Sequence, residues 1–178
     1  GIHELLLADP DIDEVITWPK AEWVKLWKSG RRLELLGRVR ALRRELHARR
    51  FDMALDLQGL MKSGFLTWLS GARRRVGLGS KEGSQLLMSE VIPRGGEQAR
   101  IGSEYKYLAE QLGFDAGDFL PTLKVSPPAE AGVLGKLAAH GLASGSYAVL
   151  APFTTRPQKH WFEDAWQALA PQLIDATG

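Results

Sequence analysis

Short runs rich in β-branched and apolar residues alternate along this chain with stretches of helical period. Residues 32–47 set Leu35, Leu36, Val39, Leu42 and Leu46 on one face of a helix, with Arg38, Arg40, Arg43, Arg44 and His47 mostly elsewhere. Residues 60–70, 103–112, 129–140 and 161–174 also read as helical, and Gly113 and Gly141 stop the second and third of these. Residues 13–17, 51–57, 74–77, 90–93 and 122–125 read as short strands. Residues 147–151, Tyr-Ala-Val-Leu-Ala, form an apolar run suited to a buried parallel strand. Ser126-Pro127-Pro128 is expected to break the pattern. The βαβα order predicts an α/β protein with a mostly parallel sheet. Residues 127–146, a helix and a loop, form the expected linker between a domain over 1–126 and the start of a second over 147–178. On this reading the first domain lacks a strand before Gly1, and the second stops after one strand and one helix. The expectation is a chain truncated at both ends.

Composition sharpens the class. The 178 residues are 44% hydrophobic and 25% charged, close to the average for globular chains. At this length about 70% of the unfolded surface is buried on folding, enough for a proper core. Uncharged stretches fall short of the about 18–20 apolar residues that cross a bilayer, and the start has no signal-like apolar region. There is no Cys, which removes disulfides, thiolate metal sites and Cys nucleophiles and fits an intracellular location. The four His show no metal-ligand spacing, so no metal site is expected. Net charge is +2, yet residues 1–106 carry 19 of the 23 basic residues against 14 of the 21 acids. Residues 25–50 alone hold ten Lys and Arg against two acids. Such a block suits an anionic partner, or else a solvated helix face. Trp23, Trp27 and Trp68, at helical positions, are expected to serve packing.

In parallel sheets, ligands bind beyond the carboxyl ends of the strands. Two segments have that form. In the first, a strand delivers Asp56 and Gln58 to its end, Gly59 permits a tight turn, and Lys62 lies in the first turn of the next helix. Functionally this is a polar rim for a sugar or phosphate; structurally, Asp56 and Gln58 satisfy loop amides and cap the helix. In the second, the 147–151 run leads to Thr154, Thr155, Arg156 and Lys159 and then to a helix. Hydroxyls, a Lys and free helix amides make a phosphate site, and the plainer alternative is a capping Thr beside a solvated Lys. His160, beside Trp161, fits packing better than catalysis. The glycine-rich stretch 77–83 presents Lys81, on either an acceptor-binding loop or an ordinary surface loop.

These residues carry a resemblance. Phe51-Asp52-x-Ala54-x-Asp56-x-Gln58-Gly59-Leu60-x-Lys62-Ser63 resembles the YDxxIDxQGLxKS segment of the bacterial ADP-heptose:lipopolysaccharide heptosyltransferases, glycosyltransferase family 9. Tyr147-Ala148-Val149, Thr154-Thr155-Arg156 and Lys159-His160-Trp161 are similar to that family's YAVxxxxTTRxxKHW segment, with the heptosyltransferase I branch the better match. The resemblance implies a GT-B fold of two Rossmann-like domains, an acceptor domain followed by a donor domain. It implies an inverting, metal-independent transfer of heptose from ADP-heptose to Kdo-lipid A in lipopolysaccharide inner-core synthesis. ADP-heptose is then a substrate and no cofactor is needed. Thr154, Thr155 and Lys159 align with the family's donor-phosphate residues. Asp56, Gln58, Gly59, Lys62 and Lys81 are the acceptor-side candidates. The family's base, an Asp after the first strand, falls upstream of Gly1, so the chain as given is expected to be inactive alone. The implied setting is cytoplasmic, peripheral on the inner face of the inner membrane. The alternative is a basic α/β module that binds nucleic acid or an anionic membrane without catalysis. No nucleic-acid fold signature is present, so nucleic acid is not an expected partner.

Overall fold

A computed structural model of the chain describes residues 2–97, 99–117 and 122–177. They fall into two compact units, one being Ile16–Leu123 and the other Gly1–Val15 together with Lys124–Gly178. In chain order the elements are α1 (Ile2–Leu7), α2 (Lys20–Lys28), α3 (Arg32–Ala48), β1 (Met53–Asp56), α4 (Met61–Leu69), β2 (Arg74–Leu78), β3 (Glu90–Ile92), α5 (Ser103–Gln111), α6 (Pro127–Ala139) and α7 (Glu163–Thr177). Single 3₁₀ turns occupy Ser84–Leu87 and Pro157–Lys159. No described helix is long and apolar enough to cross a membrane.

The unit Ile16–Leu123 is built on a parallel sheet of order β1-β2-β3. Leu55 stands opposite Val76, Asp56 opposite Gly77, and Leu78 opposite Ile92. Because side chains alternate along a strand, Met53, Val76, Leu78 and Ile92 share one face. That face packs on Tyr107 and Leu108 of α5 and on Leu112 just beyond it. Asp56 and Gly77 belong to the other face, where α4 lies against β1 and β2. Below α4, Trp23, Leu42, Leu46 and Leu69 join α2, α3 and α4 in a second cluster that also gathers Ile16, Trp18, Leu35, Val39, Phe65 and Leu66. The apolar stripe read from residues 32–47 supplies the α3 part of it. Gly64 allows α4 its depth, since a Cβ there would stand 2.8 Å from the Cβ of Ser84.

Three expected strands do not form. Residues 13–17, 122–125 and 147–151 are extended or irregular, with no ladder. A strand exists through the hydrogen bonds of a neighbour, and apolar composition supplies none of these. The second unit holds α1, α6 and α7 and, among its described residues, no strand at all. Tyr147, Val149 and Leu150 are accordingly exposed rather than buried, and of the expected strand–helix pair the helix alone is present. The Ser-Pro-Pro sequence also acts differently from expectation. Pro127 opens α6 instead of interrupting it, because the first turn of a helix leaves its N–H groups unbonded and Pro gives up none that is needed.

Leu69, 1% exposed, closes the helical cluster. Leu69→Ala should therefore cost about 2–5 kcal/mol, as core truncations do. Leu33→Ala, at a side chain 87% exposed, should change stability by no more than about 0.5 kcal/mol. Urea unfolding midpoints for the two variants check the contrast.

Candidate functional site

The carboxyl end of β1 turns sharply. Asp56 is 2% exposed, and its Oδ1 accepts hydrogen bonds from the amides of Gln58 at 3.1 Å and Gly59 at 3.0 Å. Its Oδ2 is buried without a hydrogen-bond partner. The Gly59 carbonyl then accepts from the Lys81 amide at 2.8 Å and the Ser84 hydroxyl at 3.1 Å. The Gln58 carbonyl accepts from Arg94 Nη2 at 3.1 Å, while the same guanidinium pairs with Glu104. Gly59 has φ +67°, and a Cβ on it would lie 2.6 Å from the Leu78 carbonyl oxygen. Left-handed backbone and close approach to β2 both require glycine there. Ser63 closes the start of α4, its hydroxyl accepting from the Leu60 amide at 3.2 Å, the return half of a capping box.

The five residues singled out at this turn thus divide into frame and surface. Asp56 and Gly59 are buried and fix the loop. Gln58, Lys62 and Lys81 are exposed. Gln58 and Lys62 come together, lining with Trp18 and Lys20 a cavity of about 260 Å³. Lys62 and Trp18 also line a larger, more apolar groove of about 640 Å³ with Trp23, Phe65 and Glu82. Lys81 lines neither and is tied to the turn by its backbone amide. Ser84 and Arg94, which hold the carbonyls of this turn, were not picked out from the sequence. A Ser after a glycine in a loop and an Arg past a strand end carry no local signal of the carbonyls they will reach.

In the other unit the Thr154–Lys159 loop is stitched locally. The Thr154 hydroxyl accepts from the Arg156 amide at 3.1 Å and lies 3.0 Å from the Arg156 carbonyl, to which it donates. His160 Nε2 contacts the Thr154 carbonyl at 2.8 Å, with the ring edge-on to Phe153. Histidine here ties a loop, in line with the packing reading. Lys159 sits in the 3₁₀ turn, and α7 begins later, at Glu163, with Glu163 and Asp164 in its first turn. The dipole of α7 is thus met by its own carboxylates, and neither Thr caps it. Thr155 and Lys159 are exposed, and their side chains make no hydrogen bond or ion pair within the described residues. With the equally exposed Arg156 guanidinium and Gln158 amide, they are free donors of this loop.

A protein-family model described as glycosyltransferase family 9 (heptosyltransferase) matches residues 39–177. The chain is 27% identical over 174 residues to lipopolysaccharide heptosyltransferase 1 of Escherichia coli O18:K1:H7, strain RS218 / NMEC, covering 93% of this chain and 49% of that protein. It is likewise 27% identical over 174 residues to the protein of the same name from Escherichia coli strain K12, covering 93% and 50%. Among solved structures it is similar to E. coli heptosyltransferase WaaC with ADP-2-deoxy-2-fluoro heptose, at a TM-score of 0.66 and 23% identity over 99% of this chain and 54% of that one. The E. coli WaaC structure with ADP gives a TM-score of 0.66 at 24% identity, over 99% and 53%. The chain spans about half the length of the curated relatives it matches.

Removing the frame of the β1 turn should cost more than removing its charges. Asp56→Ala strands two amides, and each buried unpaired donor costs about 1–3 kcal/mol. Gly59→Ala meets strain of about 1–3 kcal/mol before its clash with β2 is added. Lys62→Ala and Lys81→Ala should each stay within about 0.5 kcal/mol of wild type. Thermal melts of the four variants test this ranking.

Proposed function

The chain belongs to glycosyltransferase family 9, the heptosyltransferases, and shares the α/β, GT-B-type fold of the solved relative; on that premise we propose that the protein carrying this sequence transfers heptose from ADP-heptose to Kdo-lipid A. The observation that carries the reading is that one family match, residues 39–177, takes in both polar loops. The reaction proposed is an inverting displacement that builds the lipopolysaccharide inner core and needs no metal or cofactor. An acceptor hydroxyl attacks the anomeric carbon, and the bond from that carbon to the diphosphate oxygen breaks.

Charge builds on the diphosphate as that bond lengthens, so donors that grip it more strongly in the transition state accelerate transfer. Thr154, Thr155 and Lys159 are assigned that role. Thr155 and Lys159 bring uncommitted donors, whereas the Thr154 hydroxyl already serves the Arg156 backbone. On the acceptor side, Gln58, Lys62 and Lys81 suit phosphates and acidic sugars, with Asp56 and Gly59 holding their loop in shape. Asp56 is not assigned as the base, because its Oδ1 is committed to two amides and the carboxylate is buried. No residue of this chain is assigned as the base. The domain expected over residues 1–126, which takes in the unit Ile16–Leu123, is read as acceptor-binding and residues 147–178 as donor-binding. A peripheral site of action on the cytoplasmic face of the inner membrane follows from a lipid acceptor.

The test is transfer from ADP-heptose to a detergent-dispersed Kdo-lipid A by the full-length natural protein that contains this sequence, not by the 178-residue chain on its own. Turnover is expected, and its absence refutes the reading. Lys159→Ala should lower kcat by about 10²–10³-fold, the scale of losing one preorganised donor. Thr155→Val, which removes a neutral donor, should cost about 1–2 kcal/mol of transition-state stabilisation. A kcat for Lys159→Ala within about threefold of wild type sinks the phosphate assignment.

A further inference from the structure

The unit Ile16–Leu123 carries a second surface that the transfer chemistry does not use. Helices α2 and α3 form a hairpin whose turn is tightly tied. The Ser29 hydroxyl donates to the Leu26 carbonyl at 3.1 Å, the Arg31 amide to the same carbonyl at 3.0 Å, and Gly30 takes φ +74°. Since Leu35, Val39, Leu42 and Leu46 face the core, the helical period puts Leu33, Gly37, Arg40 and Arg44 on the opposite stripe. Leu33 is 87% exposed, and at the turn beside it Trp27 is 61% exposed beneath the Arg32 guanidinium, 5.3 Å from the ring centre.

The acids of the hairpin are all spoken for. Glu34 pairs with Arg31, Glu45 with Arg49 at 3.4 Å, and Glu22 with Arg38 at 3.3 Å. Lys28, Arg40 and Arg44 are exposed and have no acidic partner among the described residues. The result is an apolar tip, Trp27 and Leu33, followed by a column of uncompensated cations along α3.

We propose that this face of the α2–α3 hairpin docks on an anionic lipid surface, with Trp27 and Leu33 entering the headgroup boundary and Arg40 and Arg44 lying over lipid phosphates. A bilayer interface offers an apolar phase, an aromatic-favouring boundary and negative charge in successive layers, matching leucine, tryptophan and arginine in turn. A nucleic-acid duplex matches the cations and leaves the exposed leucine unexplained. The proposal rests on the transfer reading for the origin of the lipid surface, while its physical basis stands on the hairpin alone.

The experiment is sedimentation of the protein carrying this sequence with phosphatidylcholine vesicles, with and without about 30% phosphatidylglycerol. Binding to the anionic vesicles, weakened by salt, and little binding to the neutral ones are expected. Arg40→Glu with Arg44→Glu should weaken binding about tenfold or more, and Trp27→Ser with Leu33→Ser about fivefold or more. All four side chains are exposed, and melting curves matching wild type show that the variants fold; Arg40→Gln with Arg44→Gln should give an intermediate loss. Equal binding to neutral vesicles overturns the proposal. So does indifference to both double substitutions, or displacement from the vesicles by a single-stranded oligonucleotide that binds more tightly. The vesicles contain no saccharide acceptor. Lost vesicle binding with transfer to the detergent-dispersed acceptor intact condemns the docking surface alone, and the converse result condemns the transfer reading alone.

Discussion

A buried carboxylate with half of its hydrogen bonding spent on backbone organises the α/β unit. Asp56 bends the chain at the end of β1 by holding the amides of Gln58 and Gly59. Gly59, once bent, presents its carbonyl to Lys81 and Ser84, and this draws the loop after β2 onto the loop after β1. Ser84 in turn sits against Gly64, which sets how closely α4 approaches. Strand end, helix position and neighbouring loop are thus coupled through one carboxylate oxygen and one carbonyl. The exposed Gln58, Lys62 and Lys81 owe their placement to this buried chain of contacts, so their geometry is decided by residues that never meet solvent.

That division explains what was legible in the sequence. The strand–turn–helix at residues 51–70 announced itself, because alternation, Gln-Gly and helical period all act locally and agree. The elements 74–78, 90–92 and 103–111 followed for the same reason. The run 147–151 has strand composition and no strand, since a ladder needs a partner distant in sequence and none forms among its unit's described residues. The two readings of Asp56 were also separable only in three dimensions. Its spacing to Gln58 and Gly59 allowed a loop-satisfying role, and burial with two amide contacts is what gives that role content. Ser84 and Arg94 escaped notice because their partners stand 25 and 36 residues away.

The tryptophans show a related limit. Helical spacing suggested packing for Trp23, Trp27 and Trp68, yet Trp23 alone of the three is buried. Trp27 and Trp68 are exposed beneath Arg32 and Arg43, the latter guanidinium 5.0 Å from the ring centre. Arginine over indole shields apolar surface while keeping its charge in water. Part of the basic block at residues 25–50 therefore covers aromatic rings, and two of the cations left over, Arg40 and Arg44, lie on the outward stripe of α3.

The two units differ in how their pieces are spaced along the polypeptide. Ile16–Leu123 is one continuous stretch, whereas the other unit needs Gly1–Val15 and a segment that starts at Lys124. A growing polypeptide leaves the ribosome from its amino end, and domains generally fold as their residues become available. The parallel sheet and its helices can therefore assemble during synthesis. A stage of synthesis then exists at which the sheet unit is complete while the residues from Lys124 onward are still to be made.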